Sequence, residues 1–184
     1  SAVTLAALVA FAGLVAFAQP ASPTVKASPR NSEAADALGL TLGTQAWTFR
    51  DRTTFETIDI AAELGLTNIE LFAGQELSPE HKDVKVGPGM AKEHMDALKK
   101  KLGERKITAS SFGVVGFSTK EEDARAKFEF AKAMGMGAIS CEPEFEAWDM
   151  VEKLAVEYNI RLAVHNHPKP SRYWSPDIVL EHVG

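Results

Sequence analysis

From Leu40 onward, short runs of apolar and β-branched residues alternate with segments in which apolar positions recur every third or fourth residue. Side chains repeat their direction every second residue in a strand and about every 3.6 residues in a helix. The alternation therefore predicts strand–helix units wound into a parallel sheet with helices packed on it, an α/β fold. The predicted strands run from Thr41 to Trp47, Asn68 to Phe72, Ile107 to Phe112, Ala138 to Glu142 and Arg161 to His167. Thr53 and Glu56 have the spacing of a capping box, Phe55, Ile58 and Ala62 supply that helix's apolar face, and Gly65 follows its last turn. Ala91, Met95, Leu98 and Leu102 form the stripe of a second helix. Ser118 and Glu121 are the expected cap of a third, with Ala124, Phe128 and Ala131 facing the sheet. Ala147, Val151, Leu154 and Tyr158 mark a fourth, and Ser175 with Pro176 opens a fifth. The connection from Ala73 to Gly89 is long for a strand–helix loop, and reads as either a lid or an insertion.

Before this pattern begins, Ala2 to Ala18 is an uncharged run of small and apolar residues closing on Ala16-Phe17-Ala18. That is the form of a signal peptide's apolar region and cleavage site, so residues 1–18 are expected to be a signal segment whose start precedes Ser1. A membrane anchor is the rival, but the run is short and rich in Ala and Gly. Residues 19–39, with Pro20, Pro23 and Pro29, read as a flexible tether, and 40–184 as the folded domain. The domain is thus expected to be exported, with no membrane attachment after cleavage.

The chain of 184 residues has a net charge of -5 and is 45% hydrophobic, ordinary for a globular protein. Its basic residues are scattered, and Lys99-Lys100-Lys101 stands beside Glu104 on a helix as a solvated face, which argues against a nucleic-acid partner. Cys141 is the single cysteine, so no disulfide framework exists; in an apolar strand it reads as a small buried hydrophobe.

Two of the five histidines, His165 and His167, fall at the end of one predicted strand. Strand alternation puts Ile69, Leu71, Ile139, Cys141, Leu162 and Val164 toward the helices. Gln45, Trp47, Asn68, Glu70, Ser110, Ser140, Glu142, Ala163, His165 and His167 then share the other face. Glu142, His165 and His167 form a mixed carboxylate and imidazole set suited to a divalent ion, Mn²⁺ or Zn²⁺ first, with Mg²⁺ or Co²⁺ as alternatives. The plain alternative is a pair of hydrogen-bonded structural histidines. Glu70 is open to three readings in such a site, as ligand, general base or partner orienting a histidine, or it only pairs with Arg50 or a buried lysine. Trp47, with Phe72 and Phe112, offers a stacking wall for a sugar ring, or plain core. Arg50 and Lys169, just past their strands, are placed to hold an anionic or polyhydroxylated substrate, or are surface charge. No G-x-G-x-x-G follows the first strand, which speaks against a dinucleotide site.

The segments LGTQAWTFRD, TNIELF, ITASSFGVV, ISCEP and LAVHNHPKPSRYW, in that order, resemble the xylose-isomerase-like barrel superfamily, specifically the bacterial sugar phosphate isomerases/epimerases. The resemblance covers Leu40 to Gly184. It implies a (β/α)8 TIM barrel of which this chain holds about the first five βα units, with polar residues gathered at the carboxyl ends of the strands. It also implies a divalent metal held by Glu, Asp and His, and proton transfer on a sugar or keto-sugar through a metal-stabilised enediolate. Glu142 matches a recurring acid of the family. His165 stands where sugar epimerases carry a metal-binding, catalytic Glu, so the base must be another group, Glu70 or a residue outside this chain. An Asp and a His or Glu on strands six to eight are implied to complete the site. The expected function is metal-dependent isomerisation or epimerisation of a small carbohydrate. The alternatives are a metal-assisted lyase or hydrolase of keto-glycosides, a noncatalytic carbohydrate-binding barrel and, least favoured, an apurinic-endonuclease-like phosphodiesterase. A homo-oligomer is compatible with this reading.

Overall fold

All five segments read as main strands pair in parallel. A computed structural model describes residues 33–182, so the expected signal segment and the tether up to residue 32 lie outside the described residues. The sheet is built from β1 (Gly43–Gln45), β2 (Asn68–Leu71), β5 (Thr108–Phe117), β6 (Ala138–Pro143) and β7 (Arg161–Val164), in that spatial order. Between them run α2 (Thr54–Glu63), α3 (Lys92–Arg105), α4 (Glu121–Met134) and α5 (Trp148–Tyr158). Neighbours in the sheet are neighbours in the βα order, the arrangement of successive staves of a βα barrel. Two short helices flank the sheet's units, α1 (Glu33–Ala37), within the segment read as tether, and α6 (Pro176–His182).

The helix-facing side of the sheet makes the core. Ile69, Leu71, Phe112, Ile139 and Cys141 are fully buried against Ile58, Leu98, Phe128 and Val151 from the four helices. Burial of this row is what commits each strand to its register, because a one-residue slip would exchange it for the polar row. The capping box at α2 forms as expected: the Thr53 N–H donates to Glu56 Oε2 at 2.8 Å and the Glu56 N–H to Thr53 Oγ1 at 3.4 Å. Gly65 takes the left-handed conformation just past the C-cap, φ 74°. Asp59 on α2 ties to α3 through Lys101 at 2.7 Å and Arg105 at 3.0 Å.

Several boundaries differ from the sequence reading. The first strand is short, because the chain turns into a 3-10 helix over Ala46–Phe49. β5 runs five residues beyond Phe112, to Phe117; Gly113 and Gly116 interrupt the apolar alternation that would have shown it. Ser118 does not cap the third helix, which begins at Glu121 after Lys120; the Ser118 hydroxyl accepts from the Lys120 N–H instead. Ala91 is exposed, leaving Met95, Leu98 and Leu102 as that stripe. On α2 the deepest residues are Thr54, Thr57, Ile58 and Ala61, a face rotated from the expected one. Two threonines are tolerated there because each hydroxyl has a partner: Thr57 Oγ1 donates to the Thr53 carbonyl at 2.9 Å and Thr54 Oγ1 to the Glu76 carbonyl at 3.0 Å.

The long connection after β2 is neither a free lid nor an unstructured insertion. It folds into an antiparallel hairpin, β3 (Glu76–Ser78) with β4 (His81–Lys85), whose Leu77, Ser78 and Val86 are buried. Gln75 at its base is 3% exposed and reaches back to the turn after β1. No helix among the described residues is long and apolar enough to cross a membrane.

Candidate active site

Polar side chains gather at the carboxyl ends of β1, β2, β6 and β7, where a parallel βα arrangement leaves its ligand space. β6 presents Ser140 and Glu142 away from the helices, while Ile139 and Cys141 between and beside them are fully buried on the other side. β7 ends at Val164 in regular pairing, and the His165 N–H makes one more ladder bond, to the Cys141 carbonyl at 2.9 Å. His167 therefore lies past the strand rather than in it. The two imidazoles nevertheless converge: His165 Nδ1 lies 3.0 Å and His167 Nδ1 2.5 Å from the same atom, Glu142 Oε1. Their rings meet edge to face, centroids 4.5 Å apart. One donor atom from each of the three residues lies within 4.8 Å of the others.

Glu70 stands on β2 beside this cluster. Ser111 Oγ and Ser140 Oγ both donate to its Oε2, at 2.7 and 2.6 Å, and among the described residues Oε1 has no hydrogen-bond partner. Ser111 reaches Glu70 only because the β2–β5 pairing shifts register between Ile69 and Glu70. Strict alternation assigns Ser110 to this face, and Ser110 instead donates to the Ile69 carbonyl at 3.4 Å. The irregularity adds a second serine to the polar row and re-aims it, as bulges do.

Gln45, Trp47, Glu70, Phe72, Val114, His165 and His167 line one cleft of about 320 Å³. Trp47 is 49% exposed and meets Phe72 edge to face at 4.6 Å. Gln45 lines the cleft and braces this wall: its Oε1 accepts from the Trp47 N–H at 2.7 Å and its Nε2 donates to the Gly113 carbonyl at 3.2 Å. Phe112 does not belong to the wall; it is fully buried on the helix side against Phe130. The guanidinium of Arg50 lies 5.1 Å from the Trp47 ring centroid and borders a neighbouring groove with Arg52 and Lys82. Lys169 sits 3.8 Å from the ring centroid of Trp174 and is not among the residues lining the cleft.

Thus Gln45, Glu70, Glu142 and His165 come to one side of the sheet as the alternation predicts, while Trp47 reaches the site from the 3-10 helix after β1 and His167 from the segment after β7. Burial, aided by the charge of Glu142, pushes the Cys141 thiol up to about 12, so it stays protonated and inert in the core. The sequence reading missed three contributors: Ser111, hidden by the register shift; Gln75, an uncharged residue in what looked like loop; and Tyr173, fully buried beyond the histidines. An aromatic six residues after a histidine pair, inside the segment HPKPSRYW, was the available signal for the last.

No protein-family profile and no curated protein matches the chain. Solved structures similar to it include the following three. An uncharacterised protein from Parabacteroides distasonis ATCC 8503 is 32% identical with a TM-score of 0.66, over 70% of this chain and 53% of its own. A sugar phosphate isomerase/epimerase from the same organism is 12% identical with a TM-score of 0.55, over 78% of this chain and 62% of its own. A xylose isomerase domain protein from Planctomyces limnophilus is 13% identical with a TM-score of 0.51, over 77% and 58%. The chain thus spans little more than half the length of these structures, and what it shares with the two named ones is a fold, a run of parallel βα units from a TIM barrel.

Proposed function

We propose that the protein is a divalent-metal-dependent isomerase or epimerase, acting on a sugar or keto-sugar by abstracting a proton next to its carbonyl. The observation that carries this reading is the convergence of Glu142, His165 and His167 beside Glu70, in a cleft walled by Trp47 and Phe72. The donor set fits a divalent cation. Ligand atoms roughly 2.1 Å from an ion lie at most about 4.2 Å from each other, so small side-chain rotations would close the three donors on one ion. Three protein donors also leave coordination positions for substrate oxygens. When bound, such an ion supplies Lewis acidity toward a carbonyl oxygen, which makes the adjacent C–H more acidic.

The chain's own residues supply the remaining functions. Trp47 presents a half-exposed ring face for the apolar side of a sugar, fixed from behind by Gln45 and Phe72. Glu70 takes the proton on Oε1, while Ser111 and Ser140 hold its other oxygen and so fix the direction of the carboxylate. Return of the proton to the neighbouring carbon, with the hydroxyl proton passing between the two substrate oxygens, gives an isomer; delivery of a proton to the opposite face of the same carbon by a second acid gives an epimer.

The test is hydrogen exchange in D₂O. With the complete protein and Mn²⁺ or Zn²⁺, NMR should show deuterium entering a ketose or keto-glycoside at the carbon next to the carbonyl. Exchange should vanish in Glu70→Gln, which keeps its metal, and in Glu142→Gln, which loses it. Full exchange by Glu70→Gln would remove Glu70 as the base, and a wild type that binds no metal would remove the whole reading.

A further inference from the structure

The peptide that carries His167 is fastened at both ends to the strand that carries Glu142. At the near end, the His165 N–H donates to the carbonyl of Cys141. At the far end, the Tyr173 hydroxyl donates to the carbonyl of Pro143 at 2.7 Å, and Arg172 Nη1 donates to the same oxygen at 3.1 Å. Cys141 and Pro143 are the residues on either side of Glu142. The segment from His165 to Tyr173 therefore arches over that carboxylate and is pinned just before and just after it.

The far pin is the better built of the two. Tyr173 is fully buried, and its hydroxyl also accepts from Trp148 Nε1 at 2.9 Å, so the group is oriented by a donor at the start of α5. Its ring stands edge-on to Phe145 and Trp148, with centroids 5.7 and 6.4 Å away. Arg172 closes over Phe145 at 5.4 Å. Between the pins, the only internal backbone bond is from the Ser171 N–H to the Pro168 carbonyl. His167 itself has no backbone hydrogen bond among the described residues; its imidazole is hydrogen-bonded to Glu142 and stands edge to face with the His165 ring. The position of His167 is therefore set by where the arch is fastened, which gives the buried tyrosine a purpose that packing alone does not require.

Resting on the metal-site reading above, we propose that Tyr173, seconded by Arg172, is a positioning residue for the metal centre: it fixes the arch so that His167 meets Glu142 and His165. Groups one shell behind a metal's ligands commonly change affinity by about ten- to a hundredfold when removed. Tyr173→Phe keeps the ring and its packing and removes only the hydroxyl.

The experiment titrates the complete protein with Co²⁺, following both affinity and the visible absorption that reports coordination geometry. The variants are Tyr173→Phe, His167→Ala, the two combined, and Glu142→Gln. Tyr173→Phe should weaken Co²⁺ binding about tenfold or more and alter the spectrum, in a protein that still unfolds cooperatively at a somewhat lower temperature. It should have little further effect once His167 is alanine, because it acts through that ligand. Should Tyr173→Phe fail to fold, Arg172→Met removes the second donor to Pro143 from the surface side and is read in the same way, with a smaller loss expected. Unchanged affinity and spectrum, or an equal loss with and without His167, would overturn the positioning role while leaving the metal site standing. Failure of the site itself looks different: wild type and Glu142→Gln would then bind Co²⁺ alike, and both proposals would fall.

Discussion

Gln75→Leu tests whether the base of the hairpin holds the Trp47 wall of the cleft in place. The side chain is 3% exposed. The two protons of its Nε2 are shared among the carbonyls of Phe49 at 3.3 Å and Arg52 at 3.0 Å and Thr57 Oγ1 at 3.1 Å, and its Oε1 accepts from Thr54 Oγ1 at 3.2 Å. Leucine has nearly the same volume and makes none of these bonds. Three of the four partners keep another contact: Thr54 with the Glu76 carbonyl, Thr57 with the Thr53 carbonyl, and the Phe49 carbonyl with the Arg52 N–H. Their losses are therefore modest, roughly 0.5–1 kcal/mol each. The Arg52 carbonyl has no other hydrogen-bond donor among the described residues, but Arg52 is exposed and water takes the amide's place, so this loss is also roughly 0.5–1 kcal/mol. Against this, the leucine gains roughly 1 kcal/mol of apolar burial. The net expectation is a destabilisation of about 1–3 kcal/mol. Urea unfolding gives it as a lowered midpoint at unchanged slope. Hydrogen exchange should also quicken at the Ala46–Phe49 turn, and the KM of an active substrate should rise because Trp47 sits in that turn. A change below about 0.5 kcal/mol, with exchange at the turn unaltered, would refute the argument that this amide network holds the wall.

Replacing both Ser111 and Ser140 by alanine frees Oε2 of Glu70, so turnover should fall about ten- to a hundredfold while metal content stays at the wild-type level; unchanged turnover would show that the carboxylate needs no holding. The buried thiol of Cys141 gives a pH dependence. Its folded pKa is raised, so between the unfolded value near ~8.5 and about 12 the folded state holds the proton and the unfolded state does not, and stability falls as pH rises. From pH 7 to pH 10 this loss is on the order of 2 kcal/mol and should be absent in Cys141→Ala; parallel stability curves for the two proteins would contradict it.

Much of the fold was legible because burial writes itself into composition. Ile69, Leu71, Ile139 and Cys141 are apolar at every second position, and their burial against α2 to α5 leaves Glu70, Ser140 and Glu142 on the opposite face. Parallel pairing follows from helices falling between strands. The capping box at Thr53 was readable because both of its partners are local. What was not legible depended on groups far apart in sequence or on neutral side chains. The face of α2 was misread because Thr54 and Thr57 are polar by type, yet Gln75 and the Glu76 carbonyl, more than fifteen residues away, satisfy them when buried. The hairpin after β2 was masked by the charged residues of β4, an exposed strand.

The candidate site divides along the same line. That Glu70 and Glu142 share one face is a consequence of strand periodicity, which the amino-acid order determines by itself; His165 continues that row by one ladder bond past β7, and His167 lies beyond it. Which atoms meet was decided by tertiary structure: a register shift turns Ser111 toward Glu70, and Tyr173 pins the arch that brings His167 back to the carboxylate. Arg50 and Lys169 show the converse, since proximity to a strand end placed neither of them in the cleft and each lies over a tryptophan instead. Local order specifies which face a side chain occupies because the chain's own geometry repeats every second residue. It does not specify contacts made across loops and irregular pairings, since those depend on where other segments come to rest.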